Sequence, residues 1–326
     1  MHLSIIIPVY NVEPYIKGTL DSVFQTTACK NDFEVIVVND GTQDNSMTIV
    51  RQFTDNPNLL ILEQKNSGLS AARMAGLAKA NGDYVWFIDS DDWIVDNGVG
   101  IVLDLLSQRP DSDVLMFPIL RCFDDVLKNR VDYHVDKEQL VDGKTIIKEH
   151  SLPLYSAVRY VFKRSLTRNP FLYFPSGLIH EDEYFGPVLM CLAKRVSVFD
   201  IALYVHPQRE GSIMTSLTVR SSYDIVSIHK QLMCFMKYGL SMDEWPWFRS
   251  YCWSILELSF KRNTSYSRTK DFTRFLRDKG IYLWRQWRAS FRDSSLCERI
   301  ERFCFFVMPR FYRLLSKARK RIRLFF

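Results

Sequence analysis

Leu3 to Val9 is a short apolar run rich in Ile and Val, the pattern of a strand buried on both faces in a parallel sheet. Ile16, Leu20, Val23 and Phe24 then recur at helical spacing, and Phe33 to Val38 reads as a second buried strand closing in Asn39-Asp40-Gly41. Ser46 to Phe53 predicts a helix, Leu59 to Glu63 a third strand, Ser70 to Ala80 an Ala-rich helix and Tyr84 to Ile88 a fourth strand. Such alternation predicts an α/β fold: a mostly parallel sheet with helices on both faces. Ligands of such sheets bind beyond the carboxyl ends of the strands, which singles out residues 8–13, 39–44, 64–68 and 89–92.

The pattern is mixed from about residue 95 to 210, with strands expected at Val114 to Phe117, Ala157 to Phe162 and Val196 to Tyr204. Residues 222 to 326 read as almost wholly helical. We therefore expect a domain over 1–215, with nucleotide-side (1–95) and acceptor-side (96–215) parts, and a helical region over 216–326.

Composition, with 47% hydrophobic and 25% charged residues, excludes a disordered or fibrous chain. The formal charge of +6 conceals an asymmetry. Residues 1–260 carry 24 Lys and Arg against 32 Asp and Glu, whereas residues 261–326 carry 19 against 5. From Leu296 to Phe325 an apolar helical stripe faces Arg299, Arg302, Arg310, Arg313, Lys317, Lys320 and Arg321. A cationic amphipathic helix of this kind suits an anionic membrane surface; packing of the stripe on the rest of the protein is the alternative. Seven scattered Cys without a Cys-x-x-Cys predict neither a disulfide framework nor a zinc site. Lacking a leader-like start or an apolar stretch of about 18 residues, the chain is expected in the cytoplasm, peripheral on the inner membrane face. No RNA-binding signature is present, and no nucleic-acid partner is expected.

The sharpest chemistry is in Phe87-Ile88-Asp89-Ser90-Asp91-Asp92, where a strand delivers three carboxylates within four positions. Carboxylates this close raise one another's pKa unless a cation joins them, and a divalent ion shared with substrate phosphates is one answer. A helix N-cap at Ser90 or Asp92, ahead of Trp93 and Ile94, is the other.

These residues do not stand alone. Pro8-Val9-Tyr10-Asn11-x-Glu13, Asn39-Asp40-Gly41-x-x-Asp44-x-Ser46, Asn66-Ser67-Gly68-Leu69-Ser70-Ala71-Ala72-Arg73 and Asp89-Ser90-Asp91-Asp92 follow in order. The set resembles glycosyltransferase family 2, whose members share the GT-A fold. The resemblance is dense over residues 3–94 and returns at 177–213. Met74 and Asn39 depart from it, standing where the family often has Asn and Asp.

The resemblance implies an inverting transfer from a nucleotide-sugar donor, a UDP-sugar first among candidates, with Mn2+ or Mg2+. It places Pro8, Tyr10 and Glu13 around the nucleotide and Asp40 as the carboxylate that accepts a hydrogen bond from the base. Lys65 and Gly68 would lie toward the diphosphate, Arg73 would turn its fork to a carboxylate or to the diphosphate, Asp89 and Ser90 would lie toward the ribose or donor sugar, and Asp91 on the metal. Gly177 to Phe185 is similar to the acceptor-side motif, with Asp182 as the general base, Glu181 as its alternate and His180 positioning the acceptor. An acidic helix start is the alternative there. Arg209 and Ser212 would sit on a loop near the diphosphate, and His206 would complete the metal shell. The acceptor implied is a glycan, lipid-linked through a polyprenyl carrier, in bacterial surface polysaccharide synthesis. A sugar nucleotidyltransferase would want a glycine-rich loop after the first strand, where Tyr10-Asn11-Val12-Glu13 has none. A non-catalytic scaffold would have no need of Asp89, Asp91 and Asp182 together.

Overall fold

The computed structural model describes residues 2–123, 130–135, 138–149, 154–207, 219–262 and 274. Two compact units divide the chain, residues 1–224 and 225–326. The first is built on an eight-stranded sheet. Its elements, in chain order, begin β1 (Leu3–Val9), α1 (Ile16–Phe24), β2 (Phe33–Asn39), α2 (Ser46–Val50), β3 (Leu59–Glu63), α3 (Leu69–Lys79) and β4 (Tyr84–Phe87). There follow β5 (Trp93–Ile94), α4 (Gly98–Gln108), β6 (Val114–Met116), β7 (Ile119–Cys122), β8 (Arg130–Val131), β9 (Gln139–Val141) and α5 (Gly143–Glu149). Last come β10 (Tyr160–Lys163), α6 (Asp182–Leu192), β11 (Val196–Val198) and β12 (Tyr204–Pro207).

Every residue of β1 is buried, which is why its sequence lacks the alternation of a half-exposed strand. It lies between β2 and β4, parallel to both, with Leu3 opposite Phe33 on one side and Tyr84 on the other. The strand order is β3-β2-β1-β4-β10-β6-β11-β9. Because the chain leaves β1 toward β2 and returns past it to β4, the carboxyl ends of these strands open a crevice at β1. Beyond β4 the sheet turns mixed, since β10 runs antiparallel to both β4 and β6.

α1 seats Ile16, Thr19, Leu20 and Val23 in the core, where each apolar side chain contributes about 1.5–3 kcal/mol. α3 lies close enough to β1 that a Cβ at Gly76 would run into Ile6, so the glycine, costly in a helix by propensity, is required by packing.

Three expectations change. Ala157 to Phe162 is not one strand: residues 157–159 form a 3₁₀ turn and β10 starts at Tyr160. Val196 to Tyr204 is divided between two sheets, β11 in the first and β12 in a second, ordered β5-β12-β7-β8. The run reads as mostly apolar on both sides of Asp200 because the connection also enters the core, through Phe199 and Leu203. Finally, Trp93 and Ile94 pair with Val205 and Tyr204 as strand, so the residues after Asp92 do not begin a helix and the N-cap alternative falls.

The second unit takes over within α7 (Val219–Gly239) and continues into α8 (Trp245–Arg262). Phe235 meets Phe248 edge-on at 5.6 Å, and the His229 ring pairs with the Cys252 carbonyl at 2.8 Å. The basic stripe of residues 296–325 lies outside the described residues.

Candidate functional site

At the end of β2, Asp40 is 2% exposed and therefore needs partners. The loop after β3 supplies them: Gln64 Nε2 donates at 2.7 Å, and the backbone N–H groups of Ser67 and Gly68 donate at 2.8 Å each. Gly68, at φ +88°, takes a conformation that other residues rarely adopt and leads directly into α3. Pro8 is buried, Tyr10 is 45% exposed at the crevice mouth, and Lys65 is exposed on the same loop as Gly68.

Glu13 is tied to the loop after β2, accepting from the Asn45 backbone and side-chain nitrogens at 3.1 Å each. Its own N–H donates to Asp44. Burial pushes Asp44 up, but hydrogen bonds from Ser46, Thr42 and the Glu13 backbone outweigh it and hold Asp44 at about 2.

The glycine turn starts α3 so that Arg73, 3% exposed, reaches across the crevice floor. Its Nη2 bonds Asp89 at 2.7 Å and its Nη1 bonds Glu181 at 2.6 Å. One guanidinium thus joins the acidic segment after β4 to the acceptor-side motif, 108 residues further along the chain than Arg73 itself. Phe174 and Phe87 lie at 5.0 and 6.0 Å beneath the guanidinium. Burial disfavours the Arg73 charge, yet Asp89 and Glu181 together raise its pKa. Glu181 is pushed up by burial, against the pull of Arg73.

Asp92 is held from three sides. Tyr204 Oη donates to it at 2.6 Å, His206 Nδ1 lies 2.9 Å from its Oδ1, and Thr19 Oγ1 donates to its carbonyl at 2.7 Å. Tyr204 Oη in turn accepts the Asp89 N–H at 3.1 Å, and Thr19 also holds the Ser90 carbonyl. The second sheet therefore delivers Tyr204 and His206 to the acidic segment, while α1 anchors it from below. Burial drives Asp92 up to about 6 despite His206. The imidazole, which burial alone would lower, is raised by its bond to Asp92. Among the described residues no three His, Cys, Asp or Glu side chains form a ready-made ligand group for a metal ion.

Asp182 opens α6, its Oδ2 accepting the Ser156 N–H at 2.8 Å and its Oδ1 the Glu183 N–H at 3.0 Å. The acidic helix start weighed as an alternative is thus present; it coexists with a half-buried carboxylate placed at the crevice. His180, at φ +69°, pairs through Nε2 with Ser221 Oγ at 2.8 Å. Arg209 and Ser212 lie outside the described residues. Sequence reasoning missed Tyr204 and Thr19, which read as ordinary strand and helix core.

A family model described as glycosyl transferase family 2 matches residues 4–169. Glycosyltransferase GlyA of Streptococcus pneumoniae is 31% identical over 250 residues, 73% of this chain and 35% of that protein. The poly(ribitol-phosphate) beta-N-acetylglucosaminyltransferase TarS of Staphylococcus aureus is 29% identical over 277 residues, 84% of this chain and 46% of TarS. The chain thus spans less than half the length of either curated relative. A crystal structure of residues 1–349 of S. aureus TarS in complex with UDP-GlcNAc superposes with a TM-score of 0.65 at 25% identity, covering 89% of this chain and 82% of that one. With the ordered motifs, the crevice they line and a family model spanning half its length, the chain belongs to glycosyl transferase family 2.

Proposed function

We propose that this protein is an inverting glycosyltransferase, moving a sugar from a nucleoside-diphosphate donor, UDP-sugars first, to a hydroxyl of a glycan acceptor in bacterial surface polysaccharide synthesis. The observation that carries the reading is the Arg73 bridge, which sets Glu181 and Asp182 beside the carboxylates at the end of β4. Similarity to TarS bound to UDP-GlcNAc supports the donor class.

In this reading Pro8, Tyr10, Glu13 and Asp40 bound the nucleotide pocket, with the loop of Lys65 and Gly68 beside the diphosphate. Asp89 and Ser90 face the ribose and donor sugar, while Arg73 keeps Asp89 turned toward the acceptor side. Asp182 takes the proton of the acceptor hydroxyl as that oxygen attacks the anomeric carbon opposite the leaving diphosphate. Glu181 is the weaker candidate because its carboxylate is already committed to Arg73.

Asp91 and His206 would hold a divalent ion. A pair of protein donors suits an ion whose other ligands are substrate phosphates, and His206, with Nδ1 on Asp92, has the carboxylate support common behind a ligating imidazole. Such an ion, when bound, supplies Lewis acidity to the departing nucleoside diphosphate. Arg209 and Ser212 are assigned to the diphosphate, and the basic C-terminal stripe to the inner face of the membrane, where a polyprenyl-linked acceptor resides. Among the described residues no helix is long and apolar enough to cross a membrane.

Thermal unfolding with UDP, GDP or TDP, each with and without Mn2+, tests the donor site, since a ligand of the native state raises its stability. A rise with one nucleotide that is larger with Mn2+ is expected; no rise with any nucleotide refutes the reading.

A further inference from the structure

A buried cation ahead of β10 has no part in the chemistry above. Arg159 is fully buried. Its Nη2 bonds Asp132 at 2.6 Å, its Nε donates to the Tyr155 carbonyl at 2.9 Å, and its Nη1 reaches the Phe117 carbonyl at 3.4 Å. The Tyr155 and Tyr133 rings lie 5.7 and 5.8 Å from the guanidinium. Asp132 is fixed in turn, its Oδ1 accepting the Ile119 N–H at 2.9 Å.

Next to the clamped Tyr155 carbonyl is Ser156, at φ +77°. A side chain-bearing residue holds such a conformation only where its surroundings impose it, and imposed backbone of this kind gathers at functional sites. The Ser156 N–H donates to Asp182 Oδ2 at 2.8 Å, and the Ser156 carbonyl accepts the Arg159 N–H at 3.4 Å. The connection from Asp132 through Arg159 and the Tyr155–Ser156 turn to Asp182 is continuous.

We infer that Arg159 is a positioning residue for Asp182. It clamps the Tyr155 carbonyl, holds Ser156 left-handed and so aims that N–H at the carboxylate, fixing the direction from which a proton is accepted. A general base works only with its oxygen in hydrogen-bond reach of the proton it takes, and with Oδ1 held by the Glu183 N–H it is the Ser156 N–H on Oδ2 that fixes the carboxylate's second oxygen. The inference rests on Asp182 being the base.

The test uses the full chain with Mn2+ and the UDP-, GDP- or TDP-sugar matching the nucleotide that raises its thermal stability, following nucleotide release with water as acceptor. Arg159→Lys keeps the charge but not the fork. It is expected to lower kcat at least tenfold with the donor KM within twofold, and to speed hydrogen exchange at the Ser156 amide. Asp132→Asn, which retains an acceptor oxygen for the guanidinium, is expected to do the same more mildly and serves if Arg159→Lys does not fold. Wild-type kcat in the folded variants, or kcat and donor-binding capacity lost in equal proportion, overturns the inference. Asp182→Asn separates the premise: if it turns over at the wild-type rate, or if the wild type releases no nucleotide, the base assignment fails and the inference with it.

Discussion

Replacing Arg73 by methionine removes a cation that joins Asp89 on one side of the crevice to Glu181 on the other. Glu181 lies at 9% side-chain exposure and Asp89 at 32%, so their losses differ. Stripping the partner from a buried ion pair costs about 3–5 kcal/mol, whereas the half-exposed Asp89 adds about 0–1 kcal/mol. Arg73 Nε is buried without a hydrogen-bond partner, and its removal returns about 1 kcal/mol. The net is about 3 kcal/mol, or roughly 6–12 °C in Tm for a unit of this size. The loss depends on pH. Burial raises Glu181 to about 7, above its value in the unfolded chain, so its contribution to stability is fullest when it is protonated and declines as pH rises through 7. Without Arg73 it rises further, and the variant can neutralise Glu181 at pH 5.5 but not cheaply at pH 8. Scanning fluorimetry of both proteins at the two pH values should show the larger Tm gap at pH 8. An equal or larger gap at pH 5.5 would refute the assignment of Glu181 as a buried, Arg73-paired carboxylate.

Tyr204→Phe deprives Asp92 and the Asp89 N–H of a shared partner, which should cost about 1.5–3 kcal/mol in urea unfolding and weaken donor binding; unchanged stability would show that the hydroxyl is idle. Asp44 at about 2 lies below its unfolded value, so its contribution is present above about pH 4 and is lost as pH falls through 2. Asp44→Asn should therefore be less stable than wild type at pH 7, by a gap that narrows as pH falls from 4 toward 2, as read by circular dichroism; a gap of undiminished size at the acid end contradicts this.

Much of the first unit was legible because buried parallel strands write themselves as continuous apolar runs: Leu3 to Val9 matches its strand residue for residue, and Phe33 to Val38 stops one residue short of β2. The same signal failed at Val196 to Tyr204, where two strands of different sheets and a core-filling connection share one mostly apolar stretch. It failed again at residues 157–159, where a fully buried arginine sits in a turn that periodicity reads as strand. At the site, Asp89 to Asp92 and Glu181-Asp182 were visible because clustered carboxylates need a reason to be together. Their supports were not. Tyr204 lies 112 residues from Asp92, and nothing in its flanks separates it from any other strand tyrosine. Arg73 offered a fork with two possible uses, and only the fold shows it spent on Asp89 and Glu181. The paired β5 and β12, too short for periodicity to register, settled that Asp92 precedes a strand rather than a helix.

The central claim, sugar transfer with Asp182 as base, is tested most directly by comparing donor binding and turnover in the wild type and Asp182→Asn, by titration calorimetry with Mn2+ and the nucleotide sugar matching the nucleotide that raises thermal stability, and by nucleotide release. The account predicts donor affinity within about threefold of wild type and turnover lower by about 10²–10⁴-fold. Wild-type turnover in the variant, or loss of donor binding in parallel with turnover, would contradict it.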